Sequence, residues 1–157
     1  TRAGSRLVRE PSRGVDAEPL CSPDGPLDPS NPDSVAERIP EIPVIHSGTG
    51  ATTAGIERAV DADVGGLVIS GTGLGNATAA IGDAVGDAVA EVPVVIAGRP
   101  AGPTEPVYGT PGGAVTLADH GCRFAGALPA AKARVGLALG LAAGVDRRGI
   151  DRLFGRR

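Results

Sequence analysis

A glycine-rich turn is the first part of this sequence whose residue types could do chemistry. The segment 65–76, GGLVISGTGLGN, passes from an apolar run into three glycines and ends at Asn76. A strand, a glycine-rich turn and a following helix together offer free backbone N–H groups and the positive end of a helix dipole, and this combination binds anions. A phosphate or a carboxylate is therefore the first kind of ligand to consider.

The spacing of these glycines argues against the usual dinucleotide site. That fingerprint reads G-x-G-x-x-G or A, with an acidic residue about twenty positions further on. Here the glycines are spaced G-x-G-x-G, Asn76 stands where the third glycine belongs, and Gly98 lies near the acidic position. No Walker-type lysine follows. A flavodoxin-like nucleotide-binding module stays open as a minor alternative, and Asn76 is predicted to cap the helix that follows, since Asn is favoured at that position.

The other candidate residues form no recognisable constellation. His46 and His120 are the two histidines, and neither has a partner at metal-ligand spacing, so an exposed or structural role is favoured over a metal pair. Thr49, Thr52 and Thr53 follow a predicted strand, where α/β folds place ligands, although a helix cap by Thr49 is equally consistent. No serine or threonine comes with a visible base and orienting group. We therefore expect neither a nucleophile nor a metal site in this chain.

Short apolar runs alternate with helical patterns from residue 42 onward. The pattern predicts strands at 42–46, 66–70 and 93–97, helices at 51–60 and 76–91, a segment at 116–120, a short strand near 122–125, a helix from 128 to about 143, and a last helix capped by Asp146. Unbroken Val and Ile runs indicate strands buried on both faces, hence a parallel sheet with right-handed crossovers. The fold class predicted is an α/β three-layer domain with a small, flavodoxin-like parallel sheet of about four strands, flanked by helices and preceded by an extended linker. The helix at 76–91 is predicted to turn these residues inward: Ala80, Ile81, Ala84, Val85, Ala88 and Val89.

Composition narrows the class of protein. The 157 residues suit one domain of ordinary size, and with 2% aromatic residues its core must be built from Val, Ile, Leu and Ala. The net charge of −3 argues against nucleic acid as a partner. No apolar stretch of membrane-spanning length and no signal peptide are present, so we expect no membrane partner and a cytoplasmic location.

Cys21 and Cys122 are predicted to be free thiols. A basic cluster is predicted to complement the dipole at the carboxyl end of its own helix: Arg147, Arg148, Arg152, Arg156 and Arg157.

Residues 1–41 hold most of the proline-rich punctuation. We expect an extended connector with turns at 23–25 and 31–32 and one edge strand at 5–9. Such a long connector is unusual inside one domain and is better explained as a link to a preceding one. We therefore assign 1–41 to the remnant of a preceding domain and its linker, and 42–157 to a carboxy-terminal domain.

Four segments, taken in order, resemble the L-asparaginase family. Residues 22–27 resemble the SP-x-x-GPL signature of its interdomain connector, and 65–76 resemble the G-[LI]-V-x-x-G-x-G-x-G-N strand and turn of its carboxy-terminal domain. Residues 94–109 resemble the V-V-x-x-S-R-x-x-x-G segment and the P-x-Y-G after it, with Gly98 where Ser is usual. Residues 124–134, FAGALPAAKAR, resemble F-A-G-D-L-x-x-x-K-A-R near the end of the family's chains.

The resemblance implies that the catalytic half lies elsewhere. In this family an amino-terminal domain supplies the nucleophilic threonine in a T-G-G-T turn and a further Thr-Asp-Lys group, and this sequence contains neither motif. We therefore expect no catalytic residue here and no activity from the chain alone. The family builds each active site between two subunits, and Asn76 matches an asparagine that the smaller domain places near the substrate's amino group. Glu105 lies in the loop that supplies a glutamate in some members.

The expected function is accordingly that of a fragment of an L-asparaginase, an enzyme that hydrolyses L-asparagine to L-aspartate and ammonia. The resemblance implies a homo-oligomer, either a tetramer or a dimer of dimers, with Asn76 and Glu105 binding substrate in trans and with no cofactor. Two further alternatives remain beside the nucleotide-binding module. One is the asparaginase-like subunit of a tRNA-dependent amidotransferase, and the other is a truncated product without catalytic function.

Overall fold

The computed structural model describes residues 31–99 and 102–154, which form a four-stranded sheet between two layers of helices. The strands are β1 (Val44–His46), β2 (Leu67–Gly71), β3 (Val94–Gly98) and β4 (Arg123–Phe124). The helices are α1 (Pro32–Arg38), α2 (Ala54–Asp61), α3 (Ala79–Glu91), α4 (Ala114–His120), α5 (Ala130–Ala142) and α6 (Arg147–Phe154). All three strand pairings are parallel, in the order β1-β2-β3-β4. The predicted α/β three-layer architecture is confirmed.

The central strands β2 and β3 need a layer of helices on each face of the sheet. Every residue of β2 and β3 is buried, as expected for strands covered on both faces. Leu67 and Ile69 point into one apolar cluster with residues of α2, α3 and α4. Val68, between them, points into a second cluster with residues of α5 and α6. This alternation follows from the two-residue period of a strand, so an unbroken apolar run serves both layers.

The helix after the glycine-rich turn begins three residues later than predicted. Its N-cap is Thr78, whose Oγ1 accepts a hydrogen bond from the Ile81 N–H at 3.4 Å. The prediction that Asn76 caps this helix was therefore wrong. The backbone of Asn76 is held inside the turn, so the chain needs two more residues before it can become helical. Ala80 is exposed rather than inward, because Gly82 takes a buried position on this helix.

Of two further cap predictions, one is wrong and one is confirmed. The N-cap of α2 is Thr53, not Thr49, since the chain first makes a turn in which the Ala51 N–H donates to the Gly48 carbonyl. The predicted cap of α6 by Asp146 is confirmed, because its Oδ1 accepts from the Gly149 N–H at 2.8 Å.

Arg147 stabilises a helix other than its own. It is the first residue of α6, yet its Nη2 donates to the carbonyls of Val89 and Ala90, 3.1 Å from each, at the carboxyl end of α3. The prediction that this arginine complements the end of its own helix was therefore wrong. The cation does meet the negative end of a helix dipole, but α6 starts beside the end of α3 and provides the charge from there.

The described part of the connector, residues 31–41, contains one short helix. Asn31 and Pro32, predicted to form a turn, instead open α1, where the Asn31 Oδ1 accepts from the Ser34 N–H at 3.3 Å. The predicted edge strand at 5–9, the turn at 23–25, the connector signature at 22–27, Cys21, Arg156 and Arg157 all lie outside the described residues. In the part of the chain that is described, no helix has the length and apolar character needed to cross a membrane.

Candidate functional site

The carboxyl ends of the parallel strands meet at one edge of the sheet. There β1 is followed by Ser47, β2 by the glycine-rich turn, and β3 by Arg99 and the loop that begins beyond it. Open α/β sheets bind ligands at this edge, where loops leave the strands and side chains are not required for the core. Both residues predicted to bind substrate, Asn76 and Glu105, belong to segments that start here.

The turn closes on itself through its backbone. The N–H of Thr72 donates to the Asn76 carbonyl at 2.8 Å, and the N–H of Asn76 donates back to the Thr72 carbonyl at 2.9 Å. Gly73 and Gly75 have φ values of 52° and 105°, a backbone conformation that residues with a Cβ rarely adopt. The two glycines are thus required by the shape of the turn, and this shape holds Asn76 at a defined place.

The turn and its neighbouring contacts use several of the donors that an anion would need. The Gly75 N–H also donates within the turn, the Ala77 N–H donates to the Gly112 carbonyl at 2.7 Å, and the Thr78 N–H donates to the Ser47 Oγ at 3.0 Å. A phosphate cradle needs such groups free and aimed at the ligand. The structure therefore gives no support to the nucleotide-binding alternative.

The side chain of Asn76 joins the turn to a distant helix. Its Oδ1 accepts a hydrogen bond from the Ala114 N–H at 3.0 Å, at the first residue of α4. Asn76 is therefore a helix cap, but for α4 and across space. The amide group keeps two N–H donors and the second lone pair of its oxygen, and the residue is only partly buried. This remaining capacity is available to a ligand.

Glu105 is held beside the same turn. Its backbone N–H donates to the Leu74 carbonyl at 2.8 Å, while the N–H of the buried Thr104 donates to the Gly126 carbonyl at 2.9 Å. These two bonds tie the loop after β3 to the turn on one side and to the exit of β4 on the other. The structure thus brings the segments of Glu105 and Asn76 together, as a substrate site would require.

The remaining predicted candidates are not gathered into a site. His46 ends β1 and His120 ends α4, just before β4, so they lie at opposite ends of strands on opposite edges of the sheet. Among the described residues no group of three potential metal ligands occurs. Thr49 and Thr52 are exposed at the carboxyl edge, and the Thr53 Oγ1 donates to Glu57 at 2.6 Å.

Cys122 is a free thiol, as predicted, and it is buried. Desolvation raises the pKa of its thiol to about 12, against a smaller opposing effect of the neighbouring Arg123. A thiol with such a pKa stays protonated at neutral pH and is a poor nucleophile.

Two residues of this edge were missed from the sequence. Ser47 is 1% exposed, and its hydroxyl oxygen receives the Thr78 N–H that precedes α3. The guanidinium of Arg99 lies over Gly48, since a Cβ built on that glycine would be 3.4 Å from its Nη2. Arg99 brings a positive charge to the edge. The signal that could have identified Ser47 was its position directly after a predicted strand, in the segment HSGTG.

Comparison with known proteins identifies the family of this chain. Residues 41–154 match the model of the glutaminase/asparaginase C-terminal domain. A protein described as a probable L-asparaginase from Deinococcus radiodurans is 42% identical over 90 residues, which are 57% of this chain and 27% of that relative. The aligned part is thus about a quarter of the relative's length. From the extent of the family match, this chain belongs to the glutaminase/asparaginase C-terminal domain family.

Proposed function

We propose that this chain supplies the smaller, site-completing domain of an enzyme that hydrolyses L-asparagine to L-aspartate and ammonia. The observation that carries the proposal is the hydrogen bonding around the turn, which holds Asn76 beside the loop of Glu105 at the carboxyl edge of the sheet, in a chain of this family. The nucleophilic threonine, its base and the oxyanion hole belong to another domain. The chain alone is inactive in this account.

The groups at this edge suit an amino-acid substrate. The carboxylate of Glu105 attracts the substrate's ammonium group, since opposite charges attract strongly where water is excluded. The amide of Asn76 has donors and an acceptor left after its bond to Ala114, so it orients the substrate beside that carboxylate. Because this edge holds substrate and does not attack it, its contribution is to position the amide carbon for the threonine of the other domain.

Assembly with a second copy of the enzyme follows from the same proposal. A site divided between domains is complete only when the smaller domain meets a catalytic domain, and in an oligomer of the whole enzyme that partner is a neighbouring subunit. We therefore propose a homo-oligomer, a tetramer or a dimer of dimers, for the full-length enzyme. Neither a metal nor a cofactor takes part.

The experiment is reconstitution of ammonia release. The purified chain is assayed with L-asparagine alone and after mixing with the amino-terminal region of the Deinococcus relative, produced separately. We expect no ammonia from the chain alone and release from the mixture. Turnover by the isolated chain would contradict the proposal, and so would a stable complex that releases no ammonia. Release that requires Glu-tRNA would favour the amidotransferase alternative.

A further inference from the structure

Two large apolar side chains are exposed at the tip of the loop that carries Glu105. Val107 is 54% exposed and Tyr108 is 53% exposed, although the loop is polar or small on either side of them. Adjacent large apolar residues on an exposed loop are a common feature of protein contacts, and tyrosine is especially frequent at the energetically important positions.

The tip is held firmly at its carboxyl side. The Tyr108 carbonyl accepts the Val115 N–H at 3.0 Å, which ties the tip to α4. The Thr110 carbonyl accepts both the Gly113 N–H at 2.6 Å and the Thr116 Oγ1 at 3.0 Å. A loop held in this way presents its side chains with a smaller cost of ordering the backbone on binding, which favours affinity.

We propose that Val107 and Tyr108 are an apolar anchor that packs against the domain carrying the nucleophile. This inference rests on the proposed function, because the occupant is the domain that brings substrate to Glu105. One residue lies between Glu105 and Val107 and two lie between Glu105 and Tyr108, so a surface that reaches the carboxylate comes close to the segment that carries the two side chains. The relative extends well beyond the part aligned with this chain, which leaves room for such a domain.

A second exposed valine provides a matched comparison. Val135 is also 54% exposed, but it lies in the middle of α5, in the layer of helices on the other side of the sheet from α3. If exposure alone decided binding, Val107 and Val135 would contribute equally. If the tip is the anchor, the same substitution has an effect at Val107 only.

The test uses the single tyrosine of the chain. The chain is labelled with 3-fluorotyrosine, so Tyr108 gives one ¹⁹F resonance, and the unlabelled amino-terminal region of the Deinococcus relative is titrated in. We expect the resonance to shift and to lose its sensitivity to a soluble paramagnetic reagent. Val107→Ser raises the dissociation constant about tenfold, because the apolar side chain that the contact would bury is lost, whereas Val135→Ser leaves it unchanged.

The outcomes separate this inference from the proposed function. A resonance that stays unchanged throughout the titration overturns the anchor, with or without ammonia release. Equal effects of Val107→Ser and Val135→Ser overturn it as well. A shifted resonance without ammonia release supports the contact and contradicts the proposed reaction.

Discussion

Replacing Asn76 tests whether its side chain has both a structural and a binding part. In Asn76→Ala the Ala114 N–H loses its acceptor, and Ala114 is fully buried, so water cannot easily replace the lost bond. An unsatisfied buried donor costs about 1–3 kcal/mol, and loss of a helix cap typically costs about 1 kcal/mol. These are two descriptions of one lost bond, so we expect the free energy of unfolding to fall by about 1–3 kcal/mol.

Asn76→Asp separates the two parts. The aspartate keeps an oxygen acceptor for the Ala114 N–H, and a negative charge near the amino terminus of α4 is favourable. We therefore expect its free energy of unfolding to stay within about 0.5 kcal/mol of the unaltered chain, as for most substitutions at sites that keep their contacts. The two amide donors are nevertheless gone, so the hydrogen bonds that they donate to the substrate are lost without loss of the fold.

Urea denaturation followed by circular dichroism measures both variants, since the chain has no tryptophan to report on unfolding. Thr52→Ala, which alters an exposed side chain at the same edge, is the control and should change little. An alanine variant as stable as the unaltered chain would refute the capping role of Asn76. Equal destabilisation by Ala and Asp would refute the division between its oxygen and its amide donors.

Three further predictions concern the fold. Gly82→Ala lowers the free energy of unfolding by about 1–3 kcal/mol, because the new Cβ would lie 2.6 Å from the Gly112 Cα. Gly86→Ala is tolerated, because the exposed imidazole of His120 that faces it can rotate away. Chemical denaturation compares the two variants. Arg147→Ala lowers the unfolding free energy by about 0.5–1 kcal/mol and Arg148→Ala does not, as melting curves of the two would show. Burial keeps the Cys122 thiol protonated in the folded chain. Its contribution to the free energy of unfolding is therefore complete below the unfolded pKa of 9.0 and is lost as the pH rises from there toward 12. Denaturation at pH 8 and pH 10 should show this fall, and Cys122→Ala should lack that component of it.

The strands were predictable because their signal is local. Unbroken runs of Val and Ile identify β2 and β3 as strands buried on both faces, and the structure moves their bounds by only one residue. The positions of the glycine-rich turn and of the loop after β3 were likewise predictable, because each directly follows one of these strands in the sequence. Nothing in that pattern depends on a distant part of the chain.

The hydrogen bonds of the site were not predictable because their partners are far apart in sequence. Asn76 bonds to Ala114, 38 residues away, and Arg147 bonds to Val89, 58 residues away. From local sequence each side chain was assigned to its own helix, where its residue type is common. The assignment failed because the tertiary fold brings a different helix end closer to both side chains.

The most direct test of the central claim is the rate of ammonia release by the Asn76→Asp chain mixed with the amino-terminal region of the Deinococcus relative. We expect a kcat/KM for L-asparagine at least about tenfold below that of the unaltered chain, equivalent to about 1.4 kcal/mol of lost transition-state stabilisation. Stability and association should be unchanged, and Val135→Ser should keep full activity. An Asn76→Asp mixture as active as the unaltered one would contradict the claim that this chain presents Asn76 to the substrate.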